Sequence, residues 1–147
     1  GAEEDKIGKP FVGAAGQLLN KMLSAINLDR NKVYITNVIP WRPPNNRTPS
    51  NEEILQCLPF LQKHIELIKP KLIVLLGAIA AKSVLSTPLG ISKLRGHWHE
   101  YKSLHLNESI LCLATYHPAF LLRSPGFKKI VWEDLQKLQK KIENESL

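Results

Sequence analysis

The stretch "TYHPAFLLRSP", residues 115–125, puts a titratable ring, a run of apolar side chains and a fixed positive charge into one short segment. His117 precedes Pro118, which holds it out of the helical region of backbone space and fixes the direction of its ring. The Ala-Phe-Leu-Leu that follows is too apolar for a solvated loop and too short and proline-bound for a core strand. An apolar tip beside Arg123 suits a wedge that enters a base stack while the guanidinium holds the flanking phosphate. Proteins that do chemistry on a nucleobase must take it out of the stack, and a leucine filling the vacated space offsets part of the unstacking cost. The plainer alternative is a histidine that packs or sits on the surface, as most lone histidines do.

Two other chemically capable residues close apolar runs. "VYIT" ends at Asn37 and "LIVLLG" ends at Gly77. Open α/β sheets bind ligands in the crevice beyond the carboxyl ends of their strands, so Asn37, Gly77 and His117 can converge on one site, with residues 1–13 as a lid. Each has an ordinary reading too. The Asn37 amide can tie a turn, Gly77 can be demanded by a strand-to-helix turn alone, and Phe11 can be core.

The elements that must position these residues are legible in outline. Leu18, Leu19, Met22 and Ile26 recur at helical spacing after a Pro/Gly-rich start. "KVYIT", residues 32–36, reads as a short buried strand, and "NVIPWRPPNNRTPS" as a loop. Ser50 and Glu53 have capping-box spacing, so a helix starts there with Ile54, Leu58, Leu61, Ile65 and Ile68 inward. Pro59 should kink or divide it. "KLIVLLG" reads as a central parallel strand and "AIAAKSVL" as the helix after it. "GHWHEY" and "SILCLATY" form a hairpin-like pair. Ser124 and Pro125 fit the cap and first position of a last helix, which runs to about Glu143 with Ile130, Val131, Leu135, Leu138 and Ile142 inward. This order implies an α/β three-layer sandwich around a mostly parallel sheet, in a single domain.

Bulk properties narrow the partner. The chain has 147 residues, enough for one domain with a sizeable core. Twenty Lys and Arg against thirteen Asp and Glu give a formal charge of +7, which favours a polyanion. Part of the excess, at Lys128, Lys129 and the 137–141 stretch, can equally be a solvated helix face. No apolar run reaches the roughly 18–20 residues of a membrane span, and no secretory signal is visible. The two cysteines, Cys57 and Cys112, are far apart and make no C-x-x-C pair, which suits a reducing compartment, the bacterial cytoplasm.

Together "GAEEDKIGKPFVGAAGQLL", "VYITNVIPWRPP", "PKLIVLLG" and "TYHPAFLLRSP" resemble the family 4 branch of the uracil-DNA glycosylase superfamily. The likeness spans nearly the whole chain in the right order. It implies a central four-stranded, mostly parallel sheet between helices, and a monomer that acts on uracil-containing DNA in base excision repair. By this resemblance Phe11 stacks on an everted uracil and Asn37 reads its edge, accepting from N3–H and donating to O4. His117 donates to uracil O2, where negative charge develops as the glycosidic bond breaks, and a neutral imidazole suffices. Leu121 is the first candidate wedge and Leu122 the second. Arg123 clamps a phosphate, while Gly77, Ser124 and nearby backbone N–H groups grip others.

Two departures from the family pattern matter. Members generally carry a Gly-Glu-(Ala/Gly)-Pro-Gly stretch, and this chain begins at what looks like its last glycine, Gly1. The first strand and an early acidic residue that positions the attacking water are then expected to lie upstream, with Glu3, Glu4 and Asp5 as stand-ins. Typical members also hold a [4Fe–4S] cluster on four cysteines. Cys57 matches one ligand position, whereas Trp41 stands at another and no tryptophan replaces a thiolate, so no cluster is expected here. Trp41 then packs its loop, and Arg42 and Arg47 make that loop a DNA contact. Two alternatives to uracil excision stay open: a uracil-DNA or single-stranded DNA binding module that has lost catalysis, and a glycosylase for another deaminated base such as hypoxanthine.

Overall fold

The structure, a computed structural model, describes residues 13–36 and 50–145. Phe11, Asn37, Trp41, Arg42, Arg47 and the acidic residues near Gly1 lie outside the described residues.

Helix α1, Ala14–Ala25, buries Leu19 and Met22 on the face that the apolar spacing marks. Helix α2, Asn51–Ile68, begins at the expected capping box: Glu53 N donates to Ser50 Oγ at 3.2 Å, and Ser50 N donates to Glu53 Oε1 at 2.9 Å. Both amide donors would otherwise be orphaned at the helix start. Pro59 neither divides this helix nor reaches its core. The carbonyl it leaves without a ladder partner belongs to Leu55, and both residues sit on the exposed side, where the loss is cheapest.

Strand β1, Leu72–Leu76, is followed by α3, Ala78–Leu85, and a short α4, Ile91–Leu94. Strands β2, Trp98–Tyr101, and β3, Ile110–Thr115, pair antiparallel as the expected hairpin. After β3 come α5, Pro118–Arg123, a 3-10 turn at Pro125–Phe127, and the long α6, Lys128–Glu145. Ser124 and Pro125 therefore open the 3-10 turn rather than α6 itself.

The sheet corrects the expectation of four mostly parallel strands. Among the described residues it has three strands in the order β1-β3-β2, with β1 parallel and β2 antiparallel to β3. Residues 32–36 form no strand among the described residues. Val33 and Ile35 are half-buried while Tyr34 and Thr36 face out, so the period-two pattern is present without a ladder. The central position also belongs to β3 rather than to "LIVLLG", and on β1 Val74 is 37% exposed.

Successive residues of β3 serve opposite faces. Cys112 and Ala114 pack with Leu61, Ile65, Ala81 and Val84 from α2 and α3. Leu113 packs on the other side with Met22, Ile26, Leu121, Val131 and Leu135 from α1 and its C-cap, α5 and α6. A strand covered on both sides needs apolar residues at every position, which explains the unbroken run "ILCLA". Helix, sheet and helix layers result, and the parallel β1 and β3 end side by side.

Candidate active site

That shared end is where the chemistry gathers. Leu76 of β1 pairs with Thr115 of β3, and one residue further Gly77 N donates to the Thr115 carbonyl at 2.8 Å. Gly77 has φ +92°, a conformation that L side chains rarely adopt. Its missing side chain is also a matter of space, since a Cβ there would lie 3.0 Å from the Cβ of His117. The ordinary reading of Gly77 therefore holds: the turn requires glycine, and the glycine makes room for the histidine.

His117 is the N-cap of α5, with extended backbone angles imposed by Pro118. Its Nδ1 accepts from Ala119 N at 3.0 Å, so the ring does for α5 what serine or aspartate does elsewhere. This bond sets the tautomer. A ring nitrogen that accepts carries no proton, so in this arrangement the ring N–H lies at Nε2. Pro118 in the first helical position removes a donor that would have been orphaned. His117 is half-buried just past the end of the central strand, with Gly77 close behind it.

The apolar run behind His117 is helical, not an irregular tip, and this decides which leucine can leave the protein. Leu121 is 1% exposed and belongs to the core between α1 and α6, whereas Leu122 is 46% exposed. As the first candidate wedge Leu121 is therefore corrected: helical geometry turns it inward and its neighbour out. Arg123 is exposed and Ser124 half-buried at the end of α5. Tyr116 and Phe120 stack at 4.8 Å, and Phe127 meets both rings edge-on at 5.2 and 5.1 Å. This aromatic trio ties the strand end, α5 and the 3-10 turn together beside His117.

Behind the site lies a polar cluster that the sequence reading missed. Asp134 of α6 is fully buried and accepts from Thr115 Oγ1 at 2.6 Å. It also pairs with Arg95, which follows α4: Nε donates to Oδ2 at 3.1 Å and a terminal nitrogen binds Oδ1. The hydrogen bond and charge of Asp134 push the Arg95 guanidinium above its ordinary value. The available signal was an aspartate one position from Leu135 on the inward stripe of α6, where a carboxylate needs a partner.

A cluster on four thiolates finds only two cysteines in this chain. Cys57 is buried on α2, and burial, then the Glu53 charge, pushes its thiol up. Burial pushes the Cys112 thiol in β3 up to about 12. Among the described residues no group of three His, Cys, Asp or Glu side chains could hold a metal ion. An open hollow of about 540 Å³ beside α1, lined by Asn20, Ser24, Arg30 and Lys32, shares no residue with the His117 site.

A family model described as the uracil DNA glycosylase superfamily matches residues 1–136, so the match takes in every element from α1 through the first half of α6. The chain belongs to the uracil-DNA glycosylase superfamily. It is 44% identical over 144 residues to the type-4 uracil-DNA glycosylase of Sulfurisphaera tokodaii, a match of 95% of this chain and 64% of that protein. Against the type-4 uracil-DNA glycosylase of Pyrobaculum aerophilum it is 43% identical, over 92% of this chain and 70% of the relative. For that of Thermotoga maritima the figures are 42%, 99% and 74%. The chain thus spans about two thirds to three quarters of the length of these superfamily relatives. Among its described residues no helix is long and apolar enough to cross a membrane.

Proposed function

We propose that the chain hydrolyses the N-glycosidic bond of deoxyuridine in DNA and leaves an abasic site. The observation that carries this reading is the His117 ring, which accepts from Ala119 N at Nδ1 and stands at the joint end of β1 and β3. Superfamily membership and relatives that bear the type-4 uracil-DNA glycosylase name supply the substrate class.

In this mechanism the C1′–N1 bond breaks first, and its electron pair leaves with the base as a uracil anion. His117 Nε2–H donates to uracil O2, where part of that charge settles, without transferring its proton. Water then adds to C1′ of the oxocarbenium-like sugar and gives up a proton, and the released uracil anion takes one up to leave as neutral base. A donor already fixed by its own cap bond costs no reorganisation when the charge appears, which is where such groups gain their effect. Phe11 stacks on the everted base and Asn37 reads its edge, as the resemblance implies. Leu122 fills the space the base leaves, Arg123 holds the flanking phosphate, and Ser124 and Gly77 face the backbone. The chain works as a monomer, without a cluster, in a reducing compartment that suits its two free, buried thiols.

Incubation with a uracil-containing oligonucleotide, followed by alkali, should cleave the strand at uracil. His117→Ala should lower the single-turnover rate by about 10²–10³, the cost of deleting an oxyanion donor. Undiminished excision by that variant removes His117 from the mechanism. Binding without strand cleavage by the parent chain makes it a binding module, and cleavage at hypoxanthine but not at uracil changes the substrate.

A further inference from the structure

We propose that Thr115, Asp134 and Arg95 form a latch that sets the position of His117 for the reaction, with Thr115 as the positioning residue. The inference rests on the reading of His117 as the donor to the leaving base.

The latch joins three separate parts of the chain. Thr115 is the last residue of β3, two before His117, and it is held on both sides. Its carbonyl accepts from Gly77 N at 2.8 Å, and its hydroxyl donates to Asp134 Oδ2 at 2.6 Å. The first bond ties it to the end of β1, the second to α6. Arg95 closes the third side, with Nε 3.1 Å from the same Oδ2. Next to it, Gly96 N donates to the Ala114 carbonyl at 2.9 Å, and Lys137 Nζ donates to the Gly96 carbonyl at 2.7 Å. Gly96 has φ +75°, and a Cβ there would lie 2.7 Å from Asp134 Oδ1. The backbone after α4 is thus pressed against the carboxylate.

Burying this carboxylate is an expensive way to hold a fold. Thr115 and Asp134 are both fully buried while the Arg95 side chain stays 23% exposed, and apolar side chains of similar volume often stabilise a core as well as a buried charged cluster does. Apolar packing supplies no direction, however. Two bonds of fixed direction on one residue define both its height along the strand and its rotation about it, and His117 inherits that frame through a single intervening residue. A displacement of about 1 Å at a reacting group can cost on the order of 10²-fold in rate. A donor that must meet an oxygen at hydrogen-bond distance is sensitive on that scale.

The test compares Thr115→Val, which removes the hydroxyl while keeping the shape, with Thr115→Ser, which keeps the hydroxyl. Single-turnover excision from a uracil-containing oligonucleotide is measured, along with Kd for the same DNA and thermal stability. The expected result for Thr115→Val is a rate about 10- to 100-fold lower with Kd within about twofold of the parent. Thr115→Ser should recover most of the rate. The ¹⁵N signals of the His117 ring and the Ala119 amide should shift in Thr115→Val and stay near the parent in Thr115→Ser. A Thr115→Val chain that excises at the parent rate, or that fails to fold, overturns the proposal, as does a Thr115→Ser chain as slow as the valine variant. Should the parent excise no base, the glycosylase reading fails by itself. The latch is then decided by the ¹⁵N signals, and unmoved signals in Thr115→Val overturn it.

Discussion

His117 serves local structure through one ring nitrogen, and the chemistry proposed for it falls to the other. Nδ1 accepts from the Ala119 amide and caps α5, which leaves the ring proton at Nε2. Gly77 is its counterpart across the sheet, and the two cannot be changed independently. Gly77→Ala should strain a backbone at φ +92° and press a methyl against the His117 Cβ at 3.0 Å. The backbone strain alone is worth about 1–3 kcal/mol, so the melting temperature should fall. Displacement of the ring should also lower single-turnover excision by more than the DNA affinity. A folded Gly77→Ala chain with the parent rate would show that His117 tolerates movement at its back.

Helix α5 is the element on which the DNA-facing reading turns, because its two leucines face opposite ways. Leu121 is packed among Met22, Val131 and Leu135. Leu121→Ala should therefore cost about 2–5 kcal/mol of stability, as buried leucines do. Leu122→Ala should change stability within about 0.5 kcal/mol. Its effect should instead appear in excision, and more strongly for duplex than for single-stranded substrate, since only a duplex stack closes over an everted base. Equal loss on both substrates would deny Leu122 the wedge role. The order of the two leucines was not legible in sequence because "HPAFLLR" shows no full helical period; only once Pro118 is seen to open a helix does one leucine turn inward. Elements with longer patterns were legible. The Ser50 box, the apolar stripe of α6 and the β2–β3 hairpin all fall where periodicity and capping place them. The strand expected at 32–36 has the right alternation, but alternation marks a face and cannot supply the neighbour that makes a ladder. The Arg95–Asp134 pair was illegible for a different reason: its partners are 39 residues apart, and nothing local in either announces the other.

At the scale of the whole molecule, β3 carries both the stability and the site. Its body is sealed between two apolar layers, and its last residue, Thr115, hands the chain to His117. This sealing has a consequence at high pH. Burial pushes the Cys112 thiol from an ordinary 9.0 up to about 12, and it also raises the Cys57 thiol and the Tyr101 phenol. Each of these groups is neutral when protonated and is held in that form by the fold, while the unfolded chain releases its protons at the ordinary values. The stability these groups contribute is therefore fully present below about pH 9 and is lost as pH rises from there towards 12. Melting temperatures measured from pH 7 to 11 should stay level to about pH 9 and then decline. Cys112→Ala should flatten that decline, even though the cavity it leaves lowers the melting temperature at neutral pH. In the same samples, thiol reagents at pH 8 should modify the native chain slowly and the denatured chain at once. A native chain whose Cys112 reacts promptly at pH 8 would mean that β3 opens far more readily than its packing implies, and the frame assigned to His117 would open with it.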